Sequence, residues 1–564
     1  MTPVFAWDDR KSQGPDTIGP REFVPRCHFR HKVLRASRPI KARIVHGNRP
    51  FPTPKSTAGR SRVTSHEPQG DSPMAPELQI EAGWHDICAD HWRLIFRQNV
   101  RDAMSVLKGQ EAQSAMKSLR AMIPGDELNH IQPSGPAAIY TTLATAWMMI
   151  LQRLGGGMSM QAVVKDAIEH APNIFPDNKR VRAASLSTRD TAFSDARGRL
   201  KIDTLRHLLN AVSSSIVQTY SKPGERSVFI VDGTTLTTAP TDELKQAFPP
   251  ATNQHGESVW PTVLMLVAHE LHSGCALQPE IGAMYGDDST SEAAMLRTLI
   301  TRLDSDAILL ADAGFGTFCP VWDCMHAGRS IAFRMSSQQF NSLVKTGSPM
   351  DGNGPGESYS VTWKATKKNL TTHSHIPANA ELDVVAHTVP LSEVIPGCCT
   401  DKLLHVVTTP DISREETVAL YLKRYDVEHD IRDVKVTLKT ERIRAHSSSM
   451  FEKELLTSLV AYNLVVQFRR EAAARAGVPP RRLSFTGVWN TFQSFFLKLS
   501  PASTSEEWET RYERALAVAS KDLVRVRPGR SYARQAHPRR TKTTKFQKSQ
   551  RKKQKPEPTA TRAN

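Results

Sequence analysis

SVFIVDGT, residues 227–234, and AILLADAG, residues 307–314, decide how this chain is read. Each is a short, nearly continuous apolar run rich in β-branched or aliphatic residues, the pattern of a strand buried on both faces. Each ends in an aspartate followed by small residues: Asp232-Gly233 in the first, Asp312-Ala313-Gly314 in the second. Between them, PTVLMLVAH (261–269) and GCALQPEIG (274–282) read as two further strands with a turn at His272-Ser273-Gly274. SEAAMLRTLITRL (291–303) then reads as a helix whose start Ser291 can cap. FCPVWDCMHAG (318–328) reads as a helix and SIAFRM (330–335) as a strand. The order of three strands, helix, strand, helix, strand predicts a mixed α/β sheet. At the carboxyl ends of parallel strands in such sheets, ligands and catalytic groups collect.

Outside this block the texture changes. Upstream, residues 76–220 carry apolar side chains at three- and four-residue spacing in WRLIFRQNVRDAMSVL (92–107), AIYTTLATAWMMIL (138–151) and IDTLRHLLNAVSSSIVQTY (202–220), which predicts an all-helical region. Ser187, with Asp190 three residues on, marks a plausible helix start before TAFSDARGRL. Downstream, SYSVTWKAT (358–366), ELDVVAHTV (381–389) and LLHVVTT (403–409) are strand-like segments between polar turns, so residues 337–410 read as a β-rich insertion. Helix returns in ISREETVALYLKRYDVEHDIRDVKVTL (412–438) and FEKELLTSLVAYNLVVQFRREAAARAG (451–477), and a last amphipathic piece, SEEWETRYERALAVASKDL, covers 505–523.

The chain has 564 residues and a formal charge of +17, unevenly placed. Residues 1–74 hold 14 basic and 6 acidic side chains and 10 prolines; residues 531–564 hold 11 basic and 1 acidic. What lies between is close to neutral. Both ends are expected to be disordered alone, and a flexible polycation is drawn to nucleic acid by counterion release. Mean hydropathy of −0.40 excludes a polytopic membrane protein, and residues 133–152, the longest uncharged stretch, read as a buried helix. No secretory signal opens the chain, and seven scattered cysteines without a Cys-x-x-Cys pair predict a reducing cytoplasm with no disulfide framework or zinc module. His269-Glu270-Leu271-His272 has one residue too few between its histidines for a helical zinc motif, and Asp287-Asp288 reads as a solvated turn.

A divalent-metal site built on Asp232 and Asp312 needs a further hard oxygen ligand, and Glu428 is the candidate. It lies in Tyr421-x-x-Arg424-x-x-x-Glu428-x-x-x-x-x-x-Lys435. On a continuous α-helix these four fall within about 60° of one face, setting a carboxylate between two cations and a phenol. Such a face suits metal-dependent phosphodiester chemistry. As an isolated feature, an Arg424–Glu428 pair at i, i+4 reads first as an ordinary surface ion pair worth a few tenths of a kcal/mol.

YLKRYDVEHDIRDVK (421–435) resembles the Tyr-(2)-Arg-(3)-Glu-(6)-Lys signature of insertion-sequence transposases with a DDE triad, in the branch called the insertion-sequence-four family. VFIVDGTTL and ILLADAGFGTF resemble that family's first and second aspartate strands, and the likeness runs from about residue 227 to 469. It implies an RNase H-like mixed-sheet core (223–336 and 411–500) interrupted by the β insertion, preceded by a helical DNA-binding domain (75–222) and followed by a helical segment (501–530) and the basic tail (531–564). It implies Asp232, Asp312 and Glu428 as catalytic ligands of two Mg²⁺ or Mn²⁺ ions, and Tyr421, Arg424 and Lys435 as contacts to DNA phosphates. Trp363, in the insertion, is a candidate base-flip aromatic, with a core tryptophan as its alternative. Ala313 stands where the family often has a basic residue. The implied activity is cut-and-paste transposition: hydrolysis at the terminal inverted repeats and strand transfer into target DNA. A homodimer in a synaptic complex, acting at the bacterial nucleoid, follows from that activity. Two alternatives remain at this point: a silent DNA-binding protein derived from such an enzyme, and a nuclease on the same fold.

Overall fold

The computed structural model describes residues 124–220, 224–253, 256–350, 358–390, 403–424, 426–437, 440, 443–498 and 505–524, all within the compact unit 79–564. The two basic ends, the expected helix at 92–107 and Cys27, Cys88, Cys398 and Cys399 lie outside the described residues.

Ten strands form the sheet: β1 (Val228–Thr237), β2 (Pro250–Asn253), β3 (Gly256–Glu270), β4 (Glu280–Ala283), β5 (Ile308–Ala311), β6 (Ser330–Met335), β7 (Ser348–Pro349), β8 (Ser358–Lys364), β9 (Glu381–Pro390) and β10 (Leu403–Thr408). Their order is β2-β3-β1-β5-β6-β10-β9-β8-β7, with β4 also on β3. Strand β3 lies antiparallel to both β1 and β4, whereas β1, β5 and β6 run parallel. The run β4-β3-β1-β5-β6 is the order and polarity of an RNase H-like core. The strands of the insertion do not fold apart from it, because β10 pairs antiparallel with β6 and carries β9, β8 and β7 outward on the same sheet. Of the segment GCALQPEIG, only its end forms a strand, β4; before it Ala276, buried with Cys275, makes a single antiparallel bridge to His269 of β3.

Side-chain alternation divides the core in two. Val228 and Ile230 of β1, with Ile308 and Leu310 of β5, face a helical layer; Phe229 and Val231, with Leu309 and Ala311, face the opposite one. The first layer contains α1 (Thr142–Leu154), α2 (Ile202–Tyr220), α5 (Arg414–Lys423), α6 (Asp426–Arg432) and α7 (Ser448–Ala476), with α8 (Phe485–Lys498) and α9 (Ser505–Ala519) packed on α7. The second contains α3 (Glu292–Leu299) and α4 (Phe318–His326). Ser291 caps α3 as its sequence predicts, accepting from Ala294 N. Among the described residues no helix is long and apolar enough to cross a membrane.

Helix α7 is the centre of the first layer. Its 29 residues are apolar over most of its circumference, which is the composition of a helix surrounded by protein. Ser447 caps its start, and Gly477, in the left-handed conformation at φ 63°, ends it. Near its start the charge is paired: the Glu454 carboxylate meets Arg153 of α1 and Arg197, each at 2.5 Å. The Lys453 ammonium donates to the carbonyls of Arg197 and Gly198 at 3.2 and 2.9 Å. Residues 124–220 therefore share one core with the sheet's helices. Glu454→Ala leaves two arginines buried without a partner, and it is expected to lower unfolding free energy by about 3–5 kcal/mol, measured by denaturant titration.

Candidate active site

Strands β1 and β5 meet in parallel. Val228 pairs with Ile308 and Ile230 with Leu310, and continuing that register two residues sets Asp312 beside Asp232. Adjacent strands lie about 4.8 Å apart. Both aspartates fall on the face of Val228 and Ile230, toward α5–α7. Asp312 follows the last residue of β5, but β1 does not stop at Asp232: it runs on to Thr237, paired only with β3. Asp232 therefore stands where the parallel pairing ends. The loop backbones orient the carboxylates, with Gly233 N donating to Asp232 Oδ1 at 2.9 Å and Gly314 N to Asp312 Oδ1 at 2.8 Å.

Burial, and then the charge of Asp312, push the Asp232 carboxyl up to about 7; the Arg424 guanidinium acts against both. A third carboxylate stands nearby. Glu292, the first residue of α3, comes over from the opposite layer into the space left by Gly233, where any Cβ would collide with it. Its carboxyl is raised by burial and then by Asp312. Sequence reading passed over Glu292, since a glutamate after a serine cap is ordinary helix-start chemistry.

Glu428 lies on α6, which packs on β1. Its side chain is 45% exposed and its Oε1 is 3.6 Å from Arg424 Nη2. Arg424 is buried, 5.8 Å over the ring of Tyr421, itself fully buried. Lys435 reaches β1 just beyond Asp232, its ammonium donating to Thr234 Oγ1 at 3.1 Å and to the Thr235 carbonyl at 2.9 Å. The four signature residues do not occupy one regular helix. Helix α5 ends at Lys423, Val427 N reaches Arg424 O at 3.4 Å, and residues Asp433–Thr437 form a π turn. A π turn widens the helix and is frequent at functional sites. It also alters the angular phase on which a single face from 421 to 435 depends. Tyr421 and Arg424 thus turn inward, Glu428 outward, and Lys435 back onto the strand.

Among the described residues no three His, Cys, Asp or Glu side chains are gathered into a ready metal site. Asp232 and Asp312 form a pair, and Glu428 stands with Arg424. In chemistry the set suits Mg²⁺ or Mn²⁺: hard oxygen donors, two of them half-buried on neighbouring strands, where the charge of Asp312 helps to raise the Asp232 carboxyl. The His-Glu-Leu-His run is accounted for by the turn it makes, because the Glu270 carboxylate accepts from His272 N at 2.8 Å and Ser273 N at 2.6 Å while His269 is wholly buried. Asp287 and Asp288 are exposed in a turn. Trp363, on β8, packs edge-on against Phe318 of α4 with ring centroids 5.5 Å apart. Cys275, Cys319 and Cys324 are buried free thiols.

Residues 223–464 match the family model described as the transposase DDE domain. That match supports a DDE transposase, and it includes Asp232, Asp312 and Glu428 along with the signature residues. No curated protein matches the chain. Among solved structures, the chain is similar to a piggyBac transposase in a synaptic complex with hairpin DNA, at 11% identity and a TM-score of 0.31, over 75% of this chain and 90% of that one.

Because the Asp232 carboxyl sits above its unfolded value, the metal-free fold binds this proton more tightly than the unfolded chain does. Stability from that source is complete below about pH 4 and is lost as pH rises through about 7. Asp232→Asn, which has no charge to bury, is therefore expected to raise the melting temperature of metal-free protein at pH 8. The gain should shrink toward zero near pH 4, as read by thermal scans across that range.

Proposed function

We propose that this chain is a DNA transposase that hydrolyses phosphodiester bonds at the ends of an insertion sequence and transfers the freed strands into target DNA. The observation that supports this most is the level placement of Asp232 and Asp312 on parallel strands beneath the helix that carries Glu428. Asp232, Asp312 and Glu428 are the residues that would hold divalent metal. When bound, Mg²⁺ or Mn²⁺ supplies an activated oxygen nucleophile and charge stabilisation for the departing one.

The residues around the triad have their own parts. Arg424, between Asp232 and Glu428, limits the repulsion among the carboxylates and keeps positive charge beside the site where a phosphate would arrive. Lys435 holds β1 in place through Thr234 and Thr235, and its ammonium is near enough to the strand end to meet a DNA phosphate. Tyr421 supports the Arg424 guanidinium from below through its ring face. The basic segment 531–564 supplies sequence-independent attraction to DNA. Joining two element ends requires two active sites, which makes a homodimer on terminal inverted repeats the working assembly.

The test is Mg²⁺-dependent cleavage of a linear duplex carrying the gene's flanking DNA. Wild type is expected to nick at the flanks. Glu428→Gln should lose at least 100-fold in rate with duplex binding retained, since it removes a ligand charge with little change of shape. Binding without cleavage by either protein would instead favour a silent DNA-binding descendant, and cutting independent of the flanks a nuclease.

A further inference from the structure

Beyond the segment that matches the transposase domain, the chain leaves α7 through Gly477, turns at Pro479 and Pro480, and presents Arg481 against the back of α6. The guanidinium takes Asp430 with both arms: Nη1 donates to Oδ1 and Nη2 to Oδ2, each at 2.9 Å. Its Nε lies 3.2 Å from Asp426 Oδ2, and Nη2 also reaches the Leu271 carbonyl at 3.3 Å. Asp430 is 1% exposed, so this pairing is not a surface accident. Gly274, at φ 74°, borders the pair: a Cβ there would collide with Arg469 Nη2 at 2.9 Å and would only touch Arg481 Nη2, at 3.5 Å.

Asp426 and Asp430 are four residues apart and share one side of α6. Glu428, two residues from each and about 200° away around the helix, occupies the other. Helix α6 has seven residues, with a break before it and a π turn after it. A segment that short does not hold its own orientation through backbone hydrogen bonds. Val427 and Ile431 anchor this turn in the core, and the grip on its reverse side adds a fixed orientation to the helix that carries Glu428.

We infer that Arg481 is a positioning residue for Glu428, so that a side chain from outside the matched domain sets the third ligand of the site. This rests on the reading of Asp232, Asp312 and Glu428 given above. Arg481→Lys keeps the positive charge but cannot span both Asp430 oxygens and Asp426 at once. In the full-length protein it is expected to weaken Mn²⁺ binding, followed by electron paramagnetic resonance, by about 10-fold. The Mg²⁺ concentration for half-maximal flank cleavage should rise by a similar factor, with metal-free duplex affinity within about 2-fold of wild type.

A smaller cleavage amplitude at an unchanged Mg²⁺ midpoint, with unchanged Mn²⁺ affinity, would mean that Arg481 only supports folding, and would overturn the inference. Should the lysine variant not fold, Asp426→Asn removes only the 3.2 Å contact and is expected to move both midpoints the same way by less; no movement there also overturns it. Glu428→Gln separates the levels. If it leaves Mn²⁺ affinity unchanged, the reading of the site falls and the inference with it. If it lowers Mn²⁺ affinity while Arg481→Lys does not, the inference alone falls.

Discussion

Placing two half-buried aspartates on neighbouring strands, where the parallel pairing ends, costs free energy in the metal-free chain, and much of the surrounding structure answers that cost. The parallel register of β1 and β5 leaves no alternative: with Ile230 opposite Leu310, the next residues on the same face are Asp232 and Asp312. The apolar strands that force this register also lower the local polarizability, which is why the Asp232 carboxyl is held near 7. One cation, Arg424, is brought close to them, itself buried against Tyr421. Glu292 adds a further negative charge from the opposite layer. The result is a pocket of carboxylates that is under-compensated by protein charge, the condition in which a divalent cation binds with most gain.

Behind this edge, rigidity comes from buried ion pairs more than from helix length. Helix α7 passes through the core and exchanges charge at its two ends. Glu454 near the start holds Arg153 and Arg197 of the upstream helices, and beyond the far end Arg481 holds Asp430 and Asp426 of α6. Removing one member of such a group strands the other in a medium that cannot solvate it. These pairs join the upstream helices to α7 and the chain beyond α7 to the helix that carries Glu428.

Much of the architecture was legible in advance. Continuous apolar runs identified β1 and β5, a serine cap marked α3, and the uncharged stretch near residue 150 became the buried α1. Where reading fell short, the cause was a contact distant in sequence. GCALQPEIG was too apolar to distinguish strand from buried loop: Glu280–Ala283 pairs with β3 as a strand, while Ala276 makes only a single bridge to His269. The insertion carried a clear strand pattern, yet nothing in it indicated that β10 would dock on β6 and extend the main sheet. The even helix face expected from residue 421 to 435 was undone by a break and a π turn, which a fixed 100° step cannot foresee.

By itself the sequence determined the main apolar strands and helices in their order, the two aspartates that close apolar runs, and the spacing of Tyr421, Arg424, Glu428 and Lys435 that carries the family resemblance. These are local properties, carried by periodicity and by residues within a few turns of one another. Tertiary structure alone decided that the aspartates are level, that Tyr421 and Arg424 point inward while Glu428 stands exposed, and that Lys435 returns to β1. It alone brought Glu292 over Gly233 and joined Arg481 to Asp430 across 51 residues. The physical reason is that register and charge pairing are set by partners distant in the chain, and no window of sequence contains both members.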